Sequence, residues 1–310
     1  MRTLLVTHED CFEHRPPAGH PESPARLTAV LTAARVSGIN EERAPRADRG
    51  ALERVHTPSL IGCILETLAE EARRSECARI DADTFMSAGS AEAALRAAGA
   101  VIHAVDRIVD GSYEAAFCAV RPPGHHAERN RPMGFCLFNN IAVGAAHARA
   151  VHAVNRIAVV DFDVHHGNGT QDIFFNDPNT FYASTHQMPL YPGTGFESEH
   201  GVAGNILNRA LRSGSGSDEF RAVYRDSVLP ALESFAPDFV FISAGFDAHR
   251  ADPLAGLNLG EDDFAWVTGE ICAIARRLCN GRVVSALEGG YDLDALAASA
   301  AAHVRALTEA

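Results

Sequence analysis

The stretch IAVVDFDVHHGNG at residues 157–169 decides the fold of this chain. It begins as an apolar run typical of a buried strand and continues into a polar, glycine-rich cluster. A strand that is apolar on both faces indicates a parallel sheet covered by helices on both sides. Because ligands bind at the carboxyl ends of the strands in open sheets of this kind, the polar cluster stands where a functional site is expected.

The same arrangement recurs on both sides of this stretch. Short runs rich in valine, isoleucine and phenylalanine predict strands at residues 3–7, 115–120, 156–164, 180–184, 238–246 and 282–287. Alanine-rich amphipathic segments predict helices at residues 58–74, 87–109, 139–154, 217–235, 261–279 and 293–307. This alternation predicts a single open α/β domain over residues 1–310, with a parallel sheet and helices on both faces.

The composition of the chain excludes several classes of function. Hydrophobic residues make up 46% and charged residues 22% of the sequence, which is typical of a globular protein. All 27 basic residues are arginines, so chemistry that needs an ε-amine, such as a Schiff base or a phosphate-loop lysine, is excluded. The formal net charge of −13 argues against nucleic-acid and anionic-membrane partners.

The cysteines and the amino terminus indicate the compartment. The seven cysteines form no CxxC pair, which is typical of reduced thiols. An acidic residue, Glu9, precedes any apolar stretch of signal length, and no run approaches the ~18 residues of a membrane span. We therefore expect a cytoplasmic protein with no membrane partner.

Candidate metal ligands follow two of the predicted strands. Because side chains alternate along a strand, Asp161, Asp163 and His165 are expected to share one face. A second acid, Asp247, ends the apolar run at residues 238–246, which could not otherwise bury a carboxylate. Asp163, His165 and Asp247 would leave an open position, as catalytic sites do, and their donors suit zinc, ferrous iron or cobalt. The alternative for an isolated DxH pair is an acid and a histidine that satisfy each other within a turn.

Two further motifs carry residues suited to proton transfer and to carbonyl polarisation. RPPGHH forms a rigid turn that presents His125 and His126 together just beyond a strand. In EGGYDL the glycines allow close backbone approach, and Tyr291 is placed to direct its hydroxyl at an oxyanion. Each motif taken alone is also consistent with an ordinary loop or turn. The sequence contains no GxSxG elbow, so metal-assisted amide hydrolysis is the reaction that these residues favour.

With these motifs in one order, the sequence resembles the histone deacetylase family, in the arginase/deacetylase fold. It is most similar to the class II-like bacterial members and to the related acetylpolyamine amidohydrolases. The motifs that carry the resemblance begin at His20 and end at Leu293: HPESPARL, VHTPSL, RPPGHHAERNRPMGFCLFNN, VVDFDVHHGNGTQ, LYPGTG, SAGFDAHRADPLAG and LEGGYDL. The resemblance therefore spans nearly the whole chain.

The resemblance implies a zinc site and catalytic roles. One zinc ion would bind the three ligands named above. His126 would be the general base and acid, and His125, backed by Asp161, would be its electrostatic partner. Tyr291 would polarise the scissile carbonyl.

The resemblance also implies a second cation and a substrate channel. A monovalent cation, usually potassium, would be held beneath the zinc by backbone oxygens and one hydroxyl of Asp161, Asp163, His165, Ser184 and Thr185. The narrow acyl-lysine channel would be lined by Gly134, Phe135, Tyr191, Leu254, Gly289 and Gly290. Asp83 would lie at the rim, where it would grip a substrate backbone.

Two positions bear on mechanism and on substrate. Asn168 stands where class I relatives carry an aspartate behind the second histidine, whereas class II members commonly carry an asparagine there. We hypothesise that His126 is less basic here than it would be beside a carboxylate, which Asn168→Asp would test through the pH dependence of the rate. Leu254 stands where polyamine-preferring relatives carry a glutamate. Because leucine offers no charge to a distal amine, this position favours a neutral acyl-lysine tail.

Three functions therefore remain candidates. The leading one is a deacetylase of acyl-lysine peptides or proteins. A deacetylase of small acetylated amines such as polyamines is the alternative within enzymes. A catalytically silent acyl-lysine binding module is the candidate from another class, and self-association of the chain is left open.

Overall fold

Strands and helices alternate along the chain, as the sequence predicts. The computed structural model describes residues 1–309. The strands are β1 (Thr3–Thr7), β2 (Asn40–Arg43), β3 (Cys77–Arg79), β4 (Phe85–Ser87), β5 (Ala115–Cys118), β6 (Ile157–Asp161), β7 (Thr180–Gln187), β8 (Ile206–Leu211), β9 (Phe239–Ala244) and β10 (Val283–Leu287). The helices are α1 (Pro24–Arg35), α2 (Arg49–Glu53), α3 (Pro58–Gly62), α4 (Ala69–Ser75), α5 (Ser90–Val109), α6 (Asn140–His152), α7 (Asn168–Phe174), α8 (Ser217–Val223), α9 (Leu229–Phe235), α10 (Glu261–Cys279) and α11 (Leu293–Glu309).

Eight strands form one parallel sheet in the order β2-β1-β5-β10-β9-β6-β7-β8, and β3 pairs with β4 in a small antiparallel ladder. The α/β class and the parallel sheet are therefore confirmed. This order places β5, β10, β9 and β6 side by side, and the motifs RPPGHH, EGGYDL, GFDAH and DVHHGNG follow them in that order. Because the four strands run in the same direction, the four motifs meet at one edge of the sheet.

The core lies on both faces of the sheet. Every residue of β5, β6, β9 and β10 is buried, although neighbouring side chains point to opposite faces. Helix α5 packs on α6, while α11 packs on α1 and α10. The α5–α6 contact is close, since a Cβ at Gly144 would lie 2.2 Å from Cγ1 of Val101. Among the helices of residues 1–309, none is long and apolar enough to cross a membrane.

Some elements differ from the sequence prediction. The strand predicted at residues 156–164 ends at Asp161, because the Asp163 N–H donates to Oδ1 of Asp161 (3.1 Å) and turns the chain. The sequence does not indicate β2, β8 or α1. Strand β2 reads NEER and is mostly exposed, so it forms through backbone pairing with β1 and not through its side chains. The helices predicted at residues 58–74 and 217–235 are continuous but contain π-helical turns at Cys63–Leu68 and Tyr224–Val228.

Candidate active site

Three candidate metal ligands meet at the carboxyl ends of β6 and β9. Asp163 and His165 lie in the turn after β6, and Asp247 follows β9. Nδ1 of His165 is 3.2 Å from Oδ1 of Asp163 and 3.1 Å from Oδ2 of Asp247, and the donor atoms of all three residues lie within 4.8 Å of one another. The expectation that strand alternation aligns Asp163 and His165 with Asp161 is wrong, because β6 ends at Asp161 and a turn follows.

Backbone amides hold the two carboxylates in place. The Gly289 N–H donates to Oδ2 of Asp163 (2.8 Å), and the Val164 N–H donates to Oδ1 of Asp247 (2.9 Å). Only glycine fits at position 289, since a Cβ there would lie 2.0 Å from Oδ2 of Asp247 and 2.6 Å from Oδ2 of Asp163. A Cβ at Gly245 would likewise lie 2.0 Å from Oδ2 of Asp163. The two glycines therefore allow the backbone to approach the carboxylates from two strands.

The charges of this group fit a divalent cation. Both carboxylates are fully buried, and burial together with Asp163 raises the pKa of Asp247 to about 7. Burial lowers the pKa of His165, but the two carboxylates outweigh it and raise that pKa to about 10. The raised pKa values of Asp247 and His165 mean that this group holds extra protons when no metal is bound, and a divalent cation would take the place of that positive charge. Two carboxylate oxygens and one imidazole nitrogen are donors that zinc accepts in catalytic sites.

A second cluster of metal-ligating residue types has a different balance of charge. Oδ1 of Asp106, on α5, accepts hydrogen bonds from Nε2 of His147 (2.7 Å) and Nε2 of His152 (2.6 Å), both on α6. One carboxylate serves two imidazoles here, so the hydrogen bonds satisfy the acid without a cation. We assign no site to this cluster.

His125 and His126 lie side by side after β5, with ring centroids 4.1 Å apart. Nδ1 of His125 donates to Oδ2 of Asp161 (3.0 Å), and Nδ1 of His126 donates to Oδ1 of Asn168 (2.8 Å). Burial lowers the pKa of His125, but nearby carboxylates outweigh it and raise that pKa well above its ordinary value. Burial and the neighbouring imidazoles lower the pKa of His126 well below its ordinary value. The two environments thus favour a charged His125 and a neutral His126.

A narrow cavity of about 240 Å³ leads to this group. Its walls are Pro21, Asp83, His126, Gly134, Phe135, His165, Leu190, Tyr191, Leu254 and Tyr291. The rings of Phe135 and Tyr291 meet edge to face at 5.9 Å, and Tyr191 meets His126 in the same way at 5.2 Å. The walls are thus mainly aromatic and apolar, and Asp83, His126 and His165 add polar groups to them.

Tyr291 is fixed at the cavity wall by its backbone and by its ring. Its N–H donates to Oδ2 of Asp252 (2.7 Å), and the guanidinium carbon of Arg26 lies 4.8 Å from the ring centroid. Arg26 also donates to the backbone oxygens of Glu288 (2.5 Å) and Gly290 (2.6 Å). These contacts hold the EGGY turn, so the tyrosine shares the cavity with His126.

The profile of the histone deacetylase domain matches residues 20–307. The chain belongs to the histone deacetylase family. It is 37% identical to the probable deacetylase of Archaeoglobus fulgidus, over 95% of this chain and 82% of that protein. It is 36% identical over 100% of its length to type-2 histone deacetylase 2 of Dictyostelium discoideum, of which it spans 21%. The crystal structure of the HDA15 HD domain matches with a TM-score of 0.92 and 34% identity, over 99% of this chain and 88% of that one.

Membership of the histone deacetylase family makes the chain a hydrolase that acts on amides, which is the reaction class that the sequence predicts. The likeness to the HDA15 domain confirms the deacetylase fold. The site lies within residues 20–307, and each of its loops comes from the part of the chain that the family shares.

Most of the predicted channel residues line the cavity of this histone deacetylase-family chain. Gly134, Phe135, Tyr191 and Leu254 are on its walls, and so is the rim residue Asp83. Gly289 and Gly290 are not among the wall residues. Gly289 lies against the carboxylates of Asp163 and Asp247, and the backbone oxygen of Gly290 accepts from Arg26, so the place of both glycines in the substrate channel stays a prediction.

The residues predicted to hold a monovalent cation come together through strand pairing. Asp161 on β6 stands in register with Ser184 on β7, and the whole set is buried: Asp161, Asp163, His165, Ser184 and Thr185. The Ser184 hydroxyl lies 3.0 Å from Nδ1 of His186, and the Thr185 hydroxyl lies 3.2 Å from the hydroxyl of Tyr224. The structure therefore brings the set together, and its role in binding potassium stays a prediction.

Glu288 is a buried acid that the sequence reasoning missed. Oε2 accepts from the backbone N–H of Gly124 (2.7 Å) and of His125 (3.1 Å), and Oε1 accepts from the Ser243 hydroxyl (3.2 Å). Burial raises the pKa of Glu288 to about 7. The side chain thus ties the RPPGHH turn to β9 and β10. The only signal in the sequence is an acid at the end of an apolar strand, in LEGGY.

Proposed function

We propose that this chain is a zinc-dependent amidohydrolase that removes acetyl or larger acyl groups from the ε-amine of lysine side chains. The observation that carries the proposal is the convergence of a three-ligand metal group, His126 and Tyr291 on one narrow cavity. Family membership supports the reaction class. The metal and the substrate are our inference from the residues.

Zinc is the cofactor that the ligand set supports best, with ferrous iron and cobalt as alternatives. Asp163, His165 and Asp247 would hold it, and the Gly289 and Val164 amides would orient the carboxylates. When bound, the ion would polarise the substrate carbonyl and lower the pKa of water in the cavity. By resemblance, potassium would occupy the neighbouring set on β6 and β7.

His126 is the residue that we propose moves the proton. Oδ1 of Asn168 can only accept, so the hydrogen bond at 2.8 Å keeps the proton on Nδ1 of His126. Nε2 is then unprotonated and can take a proton from the attacking water and return it to the leaving amine. His125, paired with Asp161, supplies positive charge beside it.

Tyr291 is the residue that we propose stabilises the transition state. Its side chain lines the same cavity as His126, and its backbone is anchored on Asp252. A hydroxyl held in this way would donate to the oxygen on which charge develops during attack. The presence of every ligand, the base and the tyrosine argues against a silent binding module.

The cavity supports a lysine-like substrate. Phe135 and Tyr191 form aromatic walls that suit a methylene chain, and Leu254 adds no charge. Asp83 also lines the cavity. Its carboxylate could accept a peptide N–H, but it could equally bind the distal ammonium of an acetylated polyamine. The same residue thus makes small acetylated amines the second candidate.

A turnover panel tests the proposal. The zinc-loaded chain is assayed on an acetyl-lysine peptide, acetylputrescine and acetylspermidine, with His126→Ala as the control for the site. We expect the peptide to be hydrolysed fastest and His126→Ala to lose at least ~10²-fold in turnover. Much faster hydrolysis of acetylputrescine and acetylspermidine than of the peptide would show that small acetylated amines, and not acyl-lysine, are the substrate class. Turnover that survives in His126→Ala would refute the assigned mechanism.

A further inference from the structure

The side chain of Asn168 faces two partners, one at each end of its amide. Oδ1 accepts from Nδ1 of His126 (2.8 Å), while Nδ2 donates to Oε1 of Glu128 (2.8 Å). Glu128 is in turn held by Arg131, whose Nε and Nη2 donate to its two oxygens at 3.2 and 3.1 Å. A hydrogen-bonded chain therefore runs from the exposed Arg131 to the buried His126.

The orientation of this amide decides which nitrogen of His126 carries the proton. With Oδ1 toward the ring, Nδ1 must donate, and Nε2 is free to accept. If the amide of Asn168 turned by 180°, Nδ2 would donate to Nδ1, and the proton would move to Nε2. A neutral imidazole in that tautomer cannot accept a proton at Nε2.

The remaining contacts of Asn168 choose this orientation only weakly. Nδ2 also lies 3.3 Å from Sδ of Met133, which is a weak acceptor by its chemistry, and 3.5 Å from the backbone oxygen of His126, which is too long for a strong hydrogen bond. Behind Asn168 is a polar cavity of about 370 Å³, lined in part by Glu128, from which water can reach the amide. Water both donates and accepts, so it selects neither orientation. The carboxylate of Glu128 accepts from Nδ2 at 2.8 Å, and it therefore does select one.

We propose that Glu128 is a positioning residue for catalysis: it fixes the amide of Asn168 so that His126 keeps its proton on Nδ1. The proposal rests on the proposed function of His126 as the proton acceptor. It also changes what the substitution Asn168→Asp, proposed under Sequence analysis, would test, because Glu128 lies next to that position. An aspartate at position 168 would set a carboxylate oxygen where Nδ2 now lies, 2.8 Å from Oε1 of Glu128, and the two acids would repel each other.

The decisive variant is Glu128→Lys, because lysine can only donate. Its ammonium would bind Oδ1 of Asn168, turn Nδ2 toward His126 and favour the wrong tautomer. We expect kcat to fall by about 10- to 100-fold with little change in KM, which is the range that a hydrogen bond to a charged group contributes. Glu128→Gln keeps a carbonyl acceptor and should lose less than about threefold. Glu199→Lys adds the same charge to the same cavity and should keep wild-type kcat.

The double variant Glu128→Lys/Asn168→Asp separates positioning from a merely structural role. Both oxygens of the introduced carboxylate accept, so one can face the introduced ammonium and the other His126, and kcat should recover at least tenfold over Glu128→Lys alone. Glu128→Lys should therefore reduce kcat in the wild-type background and raise it in the Asn168→Asp background. An NMR spectrum that correlates the ring nitrogens of His126 with their protons should show Nδ1–H in the wild type and Nε2–H in Glu128→Lys.

Wild-type kcat in Glu128→Lys would overturn the proposal. A loss that the second substitution does not rescue would also overturn it, because a structural defect would persist in both backgrounds. Failure of the proposed function is recognised separately: His126→Ala would then keep its turnover, whatever the Glu128 variants do.

Discussion

Gly289→Ala should weaken metal binding strongly while the fold survives. A Cβ at this position would lie 2.0 Å from Oδ2 of Asp247 and 2.6 Å from Oδ2 of Asp163, whereas ordinary contact begins at 3.4 Å. The nearer carboxylate would thus have to move by about 1.4 Å. Metal sites tolerate changes of only ~0.2 Å in ligand distance, so Asp247 would leave the ligand set. We expect zinc affinity to fall by at least ~100-fold, which corresponds to about 2.7 kcal/mol.

The assay is a zinc titration of metal-free protein against a competing chelator, with hydrolysis of an acetyl-lysine peptide measured at each step. Thermal unfolding without zinc reports whether the variant is folded. Gly269→Ala is the matched control, because a Cβ at this position of α10 meets nothing within 4 Å. It should keep wild-type zinc affinity and gain roughly 0.5–1 kcal/mol of stability. Wild-type zinc affinity in Gly289→Ala would refute the reasoning.

Three more substitutions test separate parts of the structure. Tyr291→Phe should lower kcat by ~10²–10³-fold with little change in KM, because the hydroxyl donates mainly in the transition state. Leu254→Glu puts a carboxylate on the cavity wall and should raise kcat/KM for acetylputrescine relative to an acetyl-lysine peptide by about fivefold. Burial lowers the pKa of His303 from 6.5 to about 3, so the unfolded chain binds a proton that the native chain excludes as pH falls below 6.5. His303→Gln should therefore reduce the loss of stability with falling pH by up to ~1.4 kcal/mol per pH unit.

Each of these three has an outcome that contradicts it. Unchanged kcat in Tyr291→Phe would remove the tyrosine from the mechanism. For Leu254→Glu, the neutral variant Leu254→Gln controls for size. If kcat/KM for acetylputrescine relative to the peptide is the same in both variants, the substrate ammonium does not reach this wall. For His303, denaturant unfolding between pH 7.5 and 5 is the measurement, and parallel stability curves for wild type and variant would contradict the buried neutral imidazole.

Local patterns were sufficient to predict the main elements and to single out the three residues of the candidate metal group, which the structure brings together. Apolar runs followed by polar, glycine-rich clusters gave β5, β6, β9 and β10 to within a few residues. The same patterns failed for β2, whose NEER sequence carries no strand signal and which pairs only because β1 lies beside it. They failed also for the geometry after Asp161, because a side-chain hydrogen bond ends the strand there.

The acids that organise the site were beyond sequence reasoning. Glu288 accepts from the backbone N–H of His125, which is 163 residues away in the chain, and Glu128 accepts from Asn168, which is 40 residues away. Glu288 reaches the RPPGHH turn only because β10 is the neighbour of β5 in the sheet. Glu128 reaches Asn168 only because α7 begins beside that turn.

The sequence by itself determined the class of fold, the polar clusters at the strand ends and the residue types of a metal-assisted hydrolase, since these depend on local periodicity and on functional groups. Only the tertiary structure decided the order of the strands, and with it which clusters meet. It also decided that Gly289 lies against the carboxylates of Asp163 and Asp247, and that the amide of Asn168 meets Glu128. These features depend on distances of a few ångströms between residues far apart in the chain, which no local pattern contains.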